Sequence, residues 1–120
     1  VDVNHFTRLN DSMGHDTGDA ILRTLGTLLR KEVRESDYVI RWGGDEFLLL
    51  LTCGIAEAHQ KATDLKAAFE RERLRAGLPD GVGLSIGVAS VSRTAEQLKD
   101  AIREADSQMY RDKLGERSEA

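Results

Sequence analysis

Residues 43–46 place two glycines directly before two carboxylates, as Gly43-Gly44-Asp45-Glu46. Carboxylate oxygens are hard donors, and a pair of them at the tip of a turn can seat a hard cation such as Mg²⁺. Glycine has no side chain to hold a ligand away, so the backbone before the acids can approach a bulky group closely. The same four residues also suit an ordinary strand end with both acids in water. The tetrapeptide by itself favours the plain turn.

The elements around it decide where those carboxylates point. Tyr38-Val39-Ile40 precedes the glycines, and Phe47-Leu48-Leu49-Leu50-Leu51 follows the acids, which predicts a β-hairpin over residues 38–52. At the start, Val1 and Val3 alternate with Asp2 and Asn4, like the last residues of a strand. Phe6, Leu9 and Met13 then fall at helical spacing, and Asn10-Asp11-Ser12 with Gly14 close that short helix. Asp16, Thr17, Gly18 and Asp19 supply cap residues and first-turn acids for a second helix, whose inner face is Ile21, Leu22, Leu25, Leu28 and Leu29. Arg30, Lys31 and Arg34 suit the negative end of its dipole.

A third helix over residues 55–75 turns Ala58, Ala62, Leu65, Phe69 and Leu74 inward. Residues 76–81 form a loop. Val82, Leu84, Ile86 and Val88 then alternate with Gly83, Ser85, Gly87 and Ala89, a strand whose small-residue face a helix or ligand can approach. Thr94 and Gln97 form a capping box for a last helix, with Leu98, Ile102, Ala105, Met109 and Lys113 or Leu114 inside and Gly115 as its stop. The order predicts one α+β domain over residues 1–120, an α/β sandwich with helices on a mostly antiparallel sheet. A strand of two or three residues is too short for a sheet centre, so the pattern predicts that most of the first strand lies upstream of Val1.

Composition limits the functions available. The chain has 120 residues, 40% hydrophobic and 32% charged, which suits a globular domain with its own core. A net charge of −4 without a basic block argues against nucleic-acid binding, which needs a phosphate-neutralising surface. Cys53 is the single cysteine and is expected as a half-buried structural thiol at a strand end. With neither a bilayer-length apolar run nor a signal peptide, the expected location is the cytoplasm, with any membrane anchor outside these residues.

The motif Gly43-Gly44-Asp45-Glu46-Phe47 resembles the signature of GGDEF domains, the diguanylate cyclases. Further blocks match in order. Asp2-Val3-Asn4-His5-Phe6, Asn10-Asp11, Gly14-His15 and Gly18-Asp19 resemble the family's opening. Ser85-Ile86-Gly87-Val88-Ala89 resembles its later strand, and Ala105-Asp106, Met109-Tyr110 and Lys113 resemble its last helix. The resemblance covers nearly the whole chain and lacks the family's first helix and most of its first strand. It implies a palm-like fold similar to nucleotidyl cyclases. It also implies condensation of two GTP into cyclic di-GMP and two pyrophosphates across a homodimer, under an upstream sensory or regulatory domain.

The residue roles follow from that resemblance. Asp2, Asp45 and the carbonyl of Val3 would hold Mg²⁺, or Mn²⁺ in its place. Asp45 would activate the attacking 3′-hydroxyl as metal ligand or base, with Glu46 as its catalytic neighbour. Asn10 and Asp19 would read guanine, whose N1–H and 2-amino group both suit a carboxylate acceptor. Gly43 and Gly44 would lie against the nucleotide, Phe6 beneath it, and Lys113 and Arg117 on its terminal phosphates. Arg34 and Asp37 match an inhibitory RxxD site for the product. His15 and Trp42 read as structural, and His5 and His59 carry no signal. Thr7 and Asn4 depart from the family's usual Lys and Asp, which predicts reduced turnover, and Glu116 stands where the family usually has Gly, which predicts a different local backbone beside Lys113 and Arg117. The alternative function is a catalytically weak cyclic di-GMP receptor or regulatory module.

Overall fold

A computed structural model describes residues 1–91 and 95–119, with the backbone alone at residues 95, 96 and 116–119. The order is β1 (Asp2–Val3), α1 (Phe6–Met13), α2 (His15–Glu32), β2 (Tyr38–Arg41), β3 (Phe47–Leu50), α3 (Ile55–Ala76), β4 (Leu84–Ser85) and α4 (Ala95–Glu119). This is the expected α+β class with antiparallel pairing; it is helix-rich, and its short strands form two two-stranded ribbons.

The hairpin forms where two apolar runs flank the glycines, with Tyr38 opposite Leu50 and Arg41 opposite Phe47. β1 pairs antiparallel with β4, Asp2 opposite Ser85 and Val3 opposite Leu84. A bridge between Asp2 and Glu46 joins the two ribbons. Around it the Val3 amide donates to the Asp45 carbonyl at 3.2 Å, and the Phe47 amide donates to the Val1 carbonyl at 2.8 Å. The hairpin base is thereby sewn onto β1. Backbone hydrogen bonds, rather than side chains alone, hold the two acids of the tip beside Asp2.

The helices cover this framework through the faces their periodicity predicts. Ile21, Leu25, Leu28 and Leu29 of α2 are buried with Leu65, Ala68 and Phe69 of α3, against Val3, Phe47, Val82 and Leu84. Burying one such aliphatic or aromatic side chain stabilises the fold by about 1.5–3 kcal/mol.

Five local expectations need correction. The strand over residues 82–89 shrinks to Leu84–Ser85, because later amides turn to α4. Ile86 N–H donates to Asp112 Oδ2 at 2.9 Å, and Val88 N–H donates to Gln108 Oε1 at 3.1 Å. Gly87 permits this approach: a Cβ there would stand 1.7 Å from the Ala105 carbonyl oxygen of α4. Second, α2 starts at His15 behind Gly14, whose φ of 92° suits glycine, and no side chain caps it. Third, α4 runs through Gly115, since one glycine costs a helix only about 1 kcal/mol. Fourth, Leu74 is exposed near the end of α3. Fifth, Cys53 is exposed rather than half-buried. Thr94, the expected cap of α4, lies outside the described residues.

Candidate functional site

Asp2 is the residue on which the site turns. It sits in β1 between two ribbons and is buried, with 6% of its surface exposed. One carboxylate oxygen, Oδ2, accepts from Lys113 Nζ of α4. The other, Oδ1, is buried and has no hydrogen-bond partner among the described residues. A buried carboxylate oxygen without a donor is costly, and such an atom invites a cation or donor from outside the chain.

Asp45 stands beside it at the hairpin tip. Burial, and then the neighbouring Asp2 carboxylate, raise the Asp45 pKa above the usual aspartate range. Glu46 is raised likewise, first by burial and then by the charge of Asp2. Acids forced together in this way hold their charge at a cost that a bound cation removes. Val3, Asn4, His5, Phe6, Thr7, Arg8, Asp45 and Lys113 line one pocket of about 240 Å³ at this point. Among the described residues no cluster of three or more acids, histidines or cysteines is arranged to enclose a metal. Mg²⁺ keeps several waters and binds through one or two carboxylates plus substrate phosphates, and the carboxylates of Asp2 and Asp45 could supply that share. The donor set and the orphaned Oδ1 therefore fit the ion. When bound, it would supply charge neutralisation and a lowered hydroxyl pKa.

The hairpin tip has a brace that motif matching passes over. Arg41 Nη2 donates to the Gly44 carbonyl at 2.7 Å, and its Nε donates to the Gly43 carbonyl at 3.3 Å. The amides of Trp42 and Gly43 both donate to the Glu46 carbonyl. Neither Gly43 nor Gly44 has a left-handed φ. A Cβ on Gly44 would meet nothing within 4 Å, and one on Gly43 would make only ordinary contact. Among the described residues, packing does not require glycine at these two positions.

Asn10 and Asp19 lie apart from the pocket, on α1 and α2. Asn10 Nδ2 meets His15 Nδ1 at 2.9 Å. A Cβ on Gly18 would stand 2.2 Å from Asn10 Oδ1 and 3.3 Å from the Phe6 ring. Gly18 is thus the gap into which the Asn10 amide folds, and His15 holds that amide from the other end. Asp19 is exposed on α2. The sequence reads His15 as structural and Gly18 as part of the cap region and family match, without the contact of either with Asn10. Asn4 turns to β4, where Ser85 Oγ donates to its Oδ1. His5, between Asn4 and Phe6, takes a left-handed φ of 58°, a strained conformation that makes the sharp turn from β1 into α1.

Arg34 and Asp37 have unequal freedom. Asp37 Oδ1 accepts from the Thr52 amide at 2.9 Å and from its hydroxyl at 3.0 Å, while Oδ2 accepts from the Arg34 amide at 2.9 Å. These bonds, the Thr52 amide foremost, lower its pKa below the usual aspartate range. Arg34 is exposed and makes a 3.9 Å surface pairing to Glu57. Arg117 falls in the part of α4 whose side chains lie outside the described residues. A larger concavity of about 720 Å³ lies between β3, α3 and α4, but Asp2, Asp45 and Lys113 do not line it.

Comparison with known proteins matches this geometry to one family. The family model described as "Diguanylate cyclase, GGDEF domain" matches residues 1–119. "Diguanylate cyclase DosC" of Escherichia coli is 35% identical over 112 residues, 92% of this chain and 24% of that protein. "Cyclic di-GMP phosphodiesterase NbdA" of Pseudomonas aeruginosa is 31% identical over 129 aligned residues, 100% of this chain and 16% of that protein. This chain spans about a quarter or less of the length of these relatives. The crystal structure of the GGDEF domain of YfiN (TpbB) from Pseudomonas aeruginosa is similar with a TM-score of 0.76 and 33% identity, covering 95% of this chain and 73% of that one. The buried acid of β1, the acidic hairpin tip and the fold that joins them thus have a common origin: the chain belongs to the GGDEF family.

Proposed function

We propose that this domain condenses two GTP molecules into cyclic di-GMP, with each of two facing chains holding one nucleotide. The observation that carries the reading is Asp2 and Asp45 brought together by the backbone bonds between β1 and the hairpin, with Asp2 Oδ1 buried and unpartnered among the described residues. Asp2 and Asp45 would hold Mg²⁺, which when bound would supply charge neutralisation at the triphosphate. Asp45 orients the 3′-hydroxyl and takes part in removing its proton. That hydroxyl attacks the α-phosphate of the nucleotide on the facing chain, and pyrophosphate leaves. Lys113, on the pocket wall, grips the terminal phosphates, and the sequence match adds Arg117, four residues further along. The open space over Gly44 admits the nucleotide, and Asp19 and the His15-held Asn10 read guanine. A site of that kind rejects adenine because its polar groups would be left unpaired.

A second reading is a cyclic di-GMP receptor that turns over little. The exposed Arg34 supports it, since a guanidinium can fork onto guanine or phosphate. Thr7 supports it too, standing in the pocket without a charge. Incubation with GTP and Mg²⁺ followed by chromatography separates the readings. The cyclase reading expects cyclic di-GMP, its loss in Asp45→Ala, and relief of product inhibition in Arg34→Ala. Product binding without product formation, even in an enforced dimer, contradicts it.

A further inference from the structure

The buried acid of β1 already has a cation of its own chain beside it. Lys113 Nζ pairs with Asp2 Oδ2, bridging α4 and β1 across 111 positions of sequence. The pair is shielded, with the Asp2 side chain 8% exposed and that of Lys113 30% exposed. Lys113 shares its pocket with Asp45. Its backbone is fixed: Asp112, one residue earlier, is held by the Ile86 amide at 2.9 Å and by Lys66 Nζ at 2.6 Å, and Met109, one turn earlier, is buried. The helix therefore cannot carry the ammonium away, but a four-carbon stem can.

We propose that Lys113 is a gating residue for cation entry, acting as an internal counter-ion that occupies Asp2 until nucleotide phosphates draw it off. The inference rests on the cation site of the proposed function and adds an order of events to it. An ammonium and a divalent ion compete for one carboxylate, and two cations this close repel each other. Without nucleotide, Lys113 holds Asp2 and the divalent ion binds weakly. Terminal phosphates offer the ammonium a second anionic partner, and its transfer frees Asp2. Cation and nucleotide then each strengthen the binding of the other, as linkage requires. The pairing also prevents Asp2 from standing as an uncompensated buried charge while the site is empty.

The test is Mn²⁺ binding to the whole protein without nucleotide, followed by the electron paramagnetic resonance signal of free Mn²⁺. Lys113→Met, which keeps the stem and removes the charge, is expected to tighten binding about tenfold or more. Lys113→Arg is expected to leave it weak. Asp2→Asn in the Lys113→Met background is expected to remove the gain. Equal affinity in the wild type and Lys113→Met overturns the gate while leaving the cation site standing. Absence of binding in every variant overturns the cation site itself. Should Lys113→Met fail to fold, acylation of lysines in the wild-type protein carries the test. Modification of Lys113, mapped by mass spectrometry, should rise at Mn²⁺ concentrations that saturate a thermal-shift response. Unchanged modification at saturation overturns the gate.

Discussion

At the scale of single residues, burial and spare hydrogen-bonding capacity distinguish the side chains proposed to act from those that hold the fold. Gly44 illustrates this. Nothing within 4 Å opposes a Cβ there, so Gly44→Ala should change stability by no more than about 0.5 kcal/mol in urea denaturation. The same substitution should weaken GTP binding by isothermal titration, because the methyl enters the space assigned to the nucleotide. Asp37 is the opposite case, an acid whose oxygens are taken up by its own chain. Its pKa is lowered in the folded state, so its charge contributes stability above the ordinary aspartate range, and that contribution is lost as pH falls through the lowered folded value. Asp37→Asn places an amide donor against the Arg34 amide and removes the charge. The stability gap between wild type and Asp37→Asn should be full at neutral pH and shrink in acid, as followed by urea denaturation across pH. The RxxD spacing was visible in the sequence, whereas the unequal freedom of its two ends depends on Thr52, fifteen residues away.

Two glycines make the argument at the scale of elements, because each lets a helix come close. Gly87 faces the backbone of α4, where a Cβ would overlap the Ala105 carbonyl at 1.7 Å. Backbone cannot step aside, so Gly87→Ala should cost about 3 kcal/mol of stability, read from the denaturation midpoint. Gly18 faces a side chain instead, the Asn10 amide at 2.2 Å. An amide can rotate away, so Gly18→Ala should keep the fold but break the Asn10–His15 contact, raising KM for GTP more than it lowers kcat. Helical and strand periodicity made the elements legible, and the hairpin and all four helices lie close to where the pattern puts them. The strand after residue 82 was overextended for a specific reason. Alternation records which side chains face inward, but it does not record that Asp112 and Gln108 take the amides of Ile86 and Val88. The brace from Arg41 to the glycine carbonyls escaped for a similar reason, since an arginine beside a turn has no pattern of its own.

The whole molecule brings together residues that sequence distance keeps apart. Asp2, Asp45 and Lys113 come from the first strand, the hairpin and the last helix, and they meet because β1 is bonded on both sides. The motif identified Asp45, and only the family resemblance pointed to Asp2. The pairing of Asp2 with Lys113 was invisible, because no local spacing connects positions 111 residues apart. Among the described residues no helix is long and apolar enough to cross a membrane. The most direct measurement of the central claim is product formation from α-labelled GTP with Mg²⁺, using the whole protein held as a dimer, wild type and Asp45→Ala side by side. Labelled cyclic di-GMP from the wild type and none above background from Asp45→Ala is the predicted result. No product from the wild type, or equal product from both, would contradict it.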